Sequence, residues 1–417
     1  MQFITTAFVA ALAIHLLLQV WLARRQISHV LGHRAAVPEG FAGVVPAAEH
    51  ARAADYEAAG QRLAIVEAIV GTLATLALTL GGGIAGVGRW ATDLAGSGLA
   101  GGVLHVLGML ACLALLDLPF EVYRTFGLEQ RFGFNRTSVS TFVLDRVKAW
   151  ALGLLLGGAV VAVLLWIMAA AGSSWWLVGW AAWLAISLLA TLAWPRLIAP
   201  LFNRFTPLAD ADLRGRIDAL LERCGFHARS VFVMDGSRRS SHGNAYFTGL
   251  GRGKRIVFFD TLLDSLTHAQ IESVLAHELA HFRLRHVPQR LVVGALLSLA
   301  GFAILGWLSS REWFYAGLGV PEATDAAALL LFMLAAPAFA WLIGPPLAAW
   351  SRRHEYEADA FAARYSDGGQ LAEALVRLYR DNATTLTPDR LYAAFHDSHP
   401  DPVSRISRLR ATGTAAG

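Results

Sequence analysis

The chain of 417 residues predicts a mostly α, polytopic membrane protein with seven transmembrane helices and a soluble, cytoplasm-facing α+β part carrying a small antiparallel sheet. Three observations carry this reading. Hydrophobic residues make up 55% of the sequence and charged ones only 16%, where about 25% charged is usual for soluble proteins. The apolar residues gather in seven runs near the roughly 20 residues that a helix needs to cross the hydrocarbon core. Two long polar stretches, 195–290 and 351–417, are crowded instead with Arg, Asp, Glu and His.

The runs fall at 3–22, 63–80, 103–118, 149–171, 175–194, 291–308 and 326–350, the third being short and interrupted by His105. The first reads as an uncleaved helix, because residues 1–6 hold no Lys or Arg and Arg24 and Arg25 follow the run. Arginine then alternates from loop to loop. The first loop holds Arg24, Arg25, Arg34 and Arg52, and the third holds Arg124, Arg131, Arg136, Arg146 and Lys148. The second, fourth and sixth loops offer only Arg89 and Arg311. Under the positive-inside rule the N-terminus lies outside and both polar stretches face the cytoplasm. Four segments follow: 1–194 with five membrane helices and their loops, 195–290 soluble, 291–350 with two more helices, and 351–417 as a helical C-terminal segment.

In the first soluble segment, Leu213, Ile217, Leu220 and Leu221 share a helical face, and Gly225 suits the cap beyond it. "SVFVMD", "NAYFTG" and "KRIVFFD" read as strands, the last two joined by a glycine-containing turn. Thr267 with Gln270 three residues on has the form of a capping box, which opens a helix over 267–285. Only Cys112 and Cys224 are present, so there is no disulfide framework and the soluble mass suits a reducing compartment. No basic stripe is interleaved with aromatics, which argues against a nucleic-acid partner. Arg preferred over Lys, beside abundant Ala and Gly, points to a GC-rich bacterial genome and hence to a bacterial inner membrane.

Within that helix lies "VLAHELAHFRLRH". Residues i and i+4 share a helical face, so His277 and His281 can aim both imidazoles at one zinc ion. Glu278, beside the first, can reach a metal-bound water. A surface helix with incidental histidines is the bland alternative. A catalytic zinc takes three protein ligands and keeps one open position. The elongated motif would need Gly at 284 and His at 287, where Leu284 and Val287 stand, and His286 lies about 140° further round the helix than His281. The third ligand must come from afar. "SRRHEYEADAFAARY" after the last run supplies Glu355, with Asp359 one turn on, in place to fix the tautomer of a ligand histidine, and Glu357 pointing elsewhere.

With "IAPLFNRFTPL", "SRRSSHGNAYFTGLGRGKRIVFFDTLL" and "HPDPVSRISRL", these motifs make the sequence resemble the integral-membrane zinc metalloproteases of the type I CAAX prenyl endopeptidase family, over nearly the whole chain. The resemblance implies a gluzincin-type fold, one Zn2+ held by His277, His281 and Glu355, and Glu278 as general base. It also implies His399 as a donor to the carbonyl oxygen, the strand Asn244, Ala245, Tyr246, Phe247 and Thr248 as a platform for an extended peptide, and a water-filled chamber among the helices. Arg405 looks suited to a substrate carboxylate. Glu67 and His105, ionisable residues inside spans, fit either such a cavity or a polar partner. The function expected is removal of the last three residues after a prenylated cysteine. Two competing readings are quality-control cleavage of membrane proteins and a non-catalytic, zinc-dependent scaffold or transporter. An intact Glu278 argues against the last.

Overall fold

The computed structural model describes residues 2–226, 230–248 and 255–414. Among them, six helices are long and apolar enough to cross a membrane: Gln2–Gly32, Ala47–Leu78, Leu99–Glu129, Val139–Ala170, Gly172–Phe202 and His286–Ser309. A seventh candidate is a bent pair, with Asp325–Ala340 and Gly344–Tyr365 meeting at 68°. Pro337 and the pair Pro345 and Pro346 explain the break, since each removes a backbone donor and crowds the preceding turn. All seven predicted runs coincide with these crossings, and several helices run far past the apolar stretch into the polar end.

Much of the surface of these spans remains exposed, Leu17, Leu73, Leu155, Leu189 and Leu296 among it, as expected of helices solvated by lipid. Toward one end they close on a core that includes Ile84, Met109, Leu165, Leu305 and Leu331. A short helix, Gly83–Ala95, packs there and was not expected from the sequence. It meets the next span at His105, whose Nε2 lies 2.9 Å from the Ile84 carbonyl oxygen. Gly88 permits this approach, because a Cβ on it would lie 2.9 Å from the His105 ring. Glu67, the second ionisable residue noted within the predicted spans, pairs with Arg124 at 2.7 Å. Each thus has a polar partner, and His105 also lines a cavity of about 530 Å³ with Arg89, Thr92 and Asp325.

At the opposite end sits a soluble core that interleaves distant parts of the chain. Phe41 and Val45 of the first loop pack with Ile217, Phe258 and Leu275 and with Leu371 and Leu409 from the C-terminal segment. Helix Ala211–Arg223 buries Leu213, Ile217, Leu220 and Leu221, the face its spacing predicts, and Gly225 takes a φ of +70° beyond its end.

The sheet has four strands, β1 Phe205–Pro207, β2 Ser230–Met234, β3 Ala245–Thr248 and β4 Arg255–Phe259, in the order β1-β2-β4-β3. It is mixed, which corrects the expected antiparallel sheet. β3 pairs antiparallel with β4 and β1 antiparallel with β2, but β2 and β4 run parallel. The chain reverses twice between β2 and β4, so β4 regains the direction of β2 and docks beside it, pushing β3 to the rim. β1, three residues ending in Pro207, was not foreseen. The glycine-containing turn between β3 and β4 lies outside the described residues.

Candidate metal centre

The helix His268–Arg283 opens on the predicted capping box, in which Thr267 Oγ1 accepts from the Gln270 backbone N–H and the Gln270 side chain accepts from that of Thr267. Its buried face carries Ile271, Val274, Leu275 and Leu279 into the soluble core, and this packing fixes the rotation of the two histidines. The helix Gly344–Tyr365 crosses it and buries His354, Glu355, Ala358 and Asp359. A charged segment at the end of a span is thereby drawn inside.

His277 Nε2 lies 3.3 Å from Glu355 Oε2, and His281 Nε2 lies 3.4 Å from Glu355 Oε1. Such separations are long for hydrogen bonds but match the edge of a zinc tetrahedron, about 3.3 Å for bonds of about 2.0–2.1 Å. Glu355 Oε2 is buried and lacks a hydrogen-bond partner, an expensive state for a carboxylate oxygen unless a cation meets it. Ligand atoms of His277, His281 and Glu355 all fall within 4.8 Å of one another. The donor set therefore fits one zinc ion. Burial holds the His281 imidazole down to about 3, so it stays neutral and keeps a lone pair for metal.

Asp359 Oδ1 sits 2.8 Å from His277 Nδ1, where it can hold the proton on the far nitrogen of that ring. Arg405 grips Asp359 from behind, with Nε 2.8 Å from Oδ2 and an Nη2 bond of 2.7 Å to Oδ1. Arg405 is only 4% exposed, and the same Nη2 is 3.5 Å from Glu355 Oε2. A substrate carboxylate would have to compete with a buried bidentate partner, so the geometry ties Arg405 to Asp359 first.

Glu278 lines a cleft of about 150 Å³ together with His277, Glu355, His399, Arg405, Gly243, Asn244 and Ala245. Burial raises the Glu278 carboxyl above the ordinary carboxylate range, which strengthens it as a base. His399 presents a largely exposed ring whose Nε2 stands 3.5 Å from Glu355 Oε2, and its Nδ1 is 3.0 Å from Ser398 Oγ. Of the predicted strand residues, Asn244 and Ala245 reach the cleft wall. Phe247 turns into the core, where its ring meets Phe282, and Tyr246 faces the other side of the sheet against Phe259. Thr248 ends β3 opposite Arg255. β3 is nonetheless the outermost strand beside the cleft, and its second edge meets no strand among the described residues. Leu262, Val274, Leu371, Leu375 and Leu378 make the cleft floor apolar, a contribution the motifs did not signal.

Residues 207–413 match peptidase family M48, and residues 26–204 match the CAAX prenyl protease N-terminal region of five membrane helices. A CAAX prenyl protease 1 homolog of Arabidopsis thaliana is 35% identical over 312 residues, 74% of each chain. CAAX prenyl protease 1 of Saccharomyces cerevisiae is 35% identical over 329 residues, covering 73% of this chain and 71% of its own. The crystal structure of S. mikatae Ste24p superposes with a TM-score of 0.90 at 28% identity, covering 97% of this chain and 98% of that one. The chain therefore belongs to peptidase family M48, as a multi-pass membrane zinc metalloendopeptidase of the CAAX prenyl protease type.

Proposed function

We propose that this protein removes the last three residues that follow a prenylated cysteine, working at the cytoplasmic face of a bacterial inner membrane with its N-terminus outside. The observation that carries the reading is the convergence of His277, His281 and Glu355 beside Glu278 in a cleft edged by β3. The names of the relatives supply the substrate class. The arginine alternation between loops supports the orientation.

His277, His281 and Glu355 would hold the zinc, which when bound would supply Lewis-acid polarisation of the scissile carbonyl and acidify the attacking water. Glu278 takes the proton from that water and hands it to the leaving amine. His399 donates to the carbonyl oxygen as negative charge builds there. Asp359 keeps the His277 proton on Nδ1, and Arg405 keeps Asp359 ionised and aimed. The peptide extends along β3, with main-chain bonds from the Asn244–Ala245 end nearest the metal.

The test is cleavage of a farnesylated peptide beside its unmodified twin. Glu278→Gln should retain zinc by metal analysis yet lose about three orders of magnitude in kcat. Equal cleavage of an unmodified membrane protein would instead favour quality control, and undiminished turnover by the Gln variant would remove Glu278 from the mechanism.

A further inference from the structure

The helix of the two histidines stops at Arg283, and the sixth span begins at His286. Between them Arg285 adopts φ 61° and ψ 27°, one of two positive-φ non-glycine residues among those described. A continuous helix would carry residue 286 about 140° away from His281. The left-handed turn brings it back, so that the rings of His281 and His286 lie 5.2 Å apart and their Nδ1 atoms 3.1 Å apart. On its far side His286 Nε2 is 3.1 Å from Glu357 Oε2, and Arg353 Nε holds the other oxygen of Glu357 at 2.9 Å. His286 is 1% exposed, and His354 stacks on it at 3.9 Å with the planes 3° apart.

Two facing Nδ1 atoms can share only one proton. If His281 offers the lone pair of Nε2 to zinc, its proton sits on Nδ1 and His286 Nδ1 must accept. His286 then carries its own proton on Nε2 and donates to Glu357. We infer that His286 and Glu357 form a hydrogen-bonded relay that fixes the tautomer and ring orientation of His281, as Asp359 does directly for His277. Both are positioning residues for the metal. One helix thus supplies a ligand, Glu355, the carboxylate that terminates the relay, and the imidazole that walls it in.

His286, His354 and Glu357 also lie close enough together to suggest a second cation site. The stacking speaks against it. In-plane lone pairs of two parallel rings run side by side instead of converging, and both nitrogens of His286 are already engaged.

This inference rests on the zinc reading above, and its test reads metal retention in the purified full-length protein. Glu357→Leu and His286→Phe should release zinc to a chromophoric chelator on the order of tenfold faster than the parent. Glu357→Gln keeps an acceptor oxygen and should stay within about threefold. The Glu357 side chain is 41% exposed, so its variants leave the core packing intact, to be checked by equal melting temperatures of the metal-free proteins. Equal release from the parent, Glu357→Leu and His286→Phe would overturn the relay while leaving the catalytic zinc in place. So would a parent with two zinc ions per chain, one of them lost in Glu357→Leu. A parent without zinc would sink both readings.

Discussion

At the level of single residues, Arg405 and Asp397 make the sharpest statements. Arg405 spends Nε and Nη2 on Asp359 in a buried, two-bond pair. Removing one member of such a pair strands the other charge out of water. Arg405→Gln should therefore cost about 3 kcal/mol, read as a lower melting temperature in detergent, and should depress kcat more than it raises KM. A large rise in KM at unchanged stability would return this residue to substrate binding. Asp397 is a different case, because burial lifts its carboxyl to about 6 from the ordinary 3.8. A raised folded pKa means that the fold holds the proton more tightly than the unfolded chain does. The stabilisation is complete below about pH 4 and is lost as pH rises through about 6. Asp397→Asn should match the parent in thermal unfolding at pH 4 and melt higher at pH 8.

Secondary-structure elements tell how far the sequence could be read. The capping box at Thr267 was legible because it is a four-residue pattern, and Thr267→Ala should lower stability by about 1 kcal/mol in a denaturation series. The face shared by His277 and His281 was equally legible, since four residues bring a helix back on itself. Glu355 could be paired with them only through a second motif far along the chain. His286 escaped because periodicity assumes an unbroken helix, whereas Arg285 reverses its hand at that point. The strand directions escaped too, as nothing local records that β4 docks beside β2. Gly83–Ala95 is too short to read as a crossing, and β1 too short to show alternation.

For the whole molecule, the soluble end cannot be cut away from the spans. Arg25 on the first crossing helix binds Asp389 through Nη2 and Nε, at 2.8 and 3.2 Å, and Gln26 Oε1 accepts from the Asp389 N–H at 2.8 Å. Gln61 on the second reaches Tyr392 at 2.6 Å. The C-terminal segment is thus moored to helices at the other end of the sequence. The bent seventh crossing adds a mechanical link. From Gly344 to Glu355 the helix runs without interruption, a rise of about 16 Å. A tilt of about 5° about its proline-rich base would swing the carboxylate by about 1.4 Å, a large part of one metal bond. On the proposed ligand set, lipid tails that made the last span lean would therefore act on the coordination sphere through Glu355. Reconstitution in short-chain and long-chain lipids should accordingly change turnover and zinc release together, and a rate indifferent to bilayer thickness would mean that the helix packing absorbs the strain before it arrives.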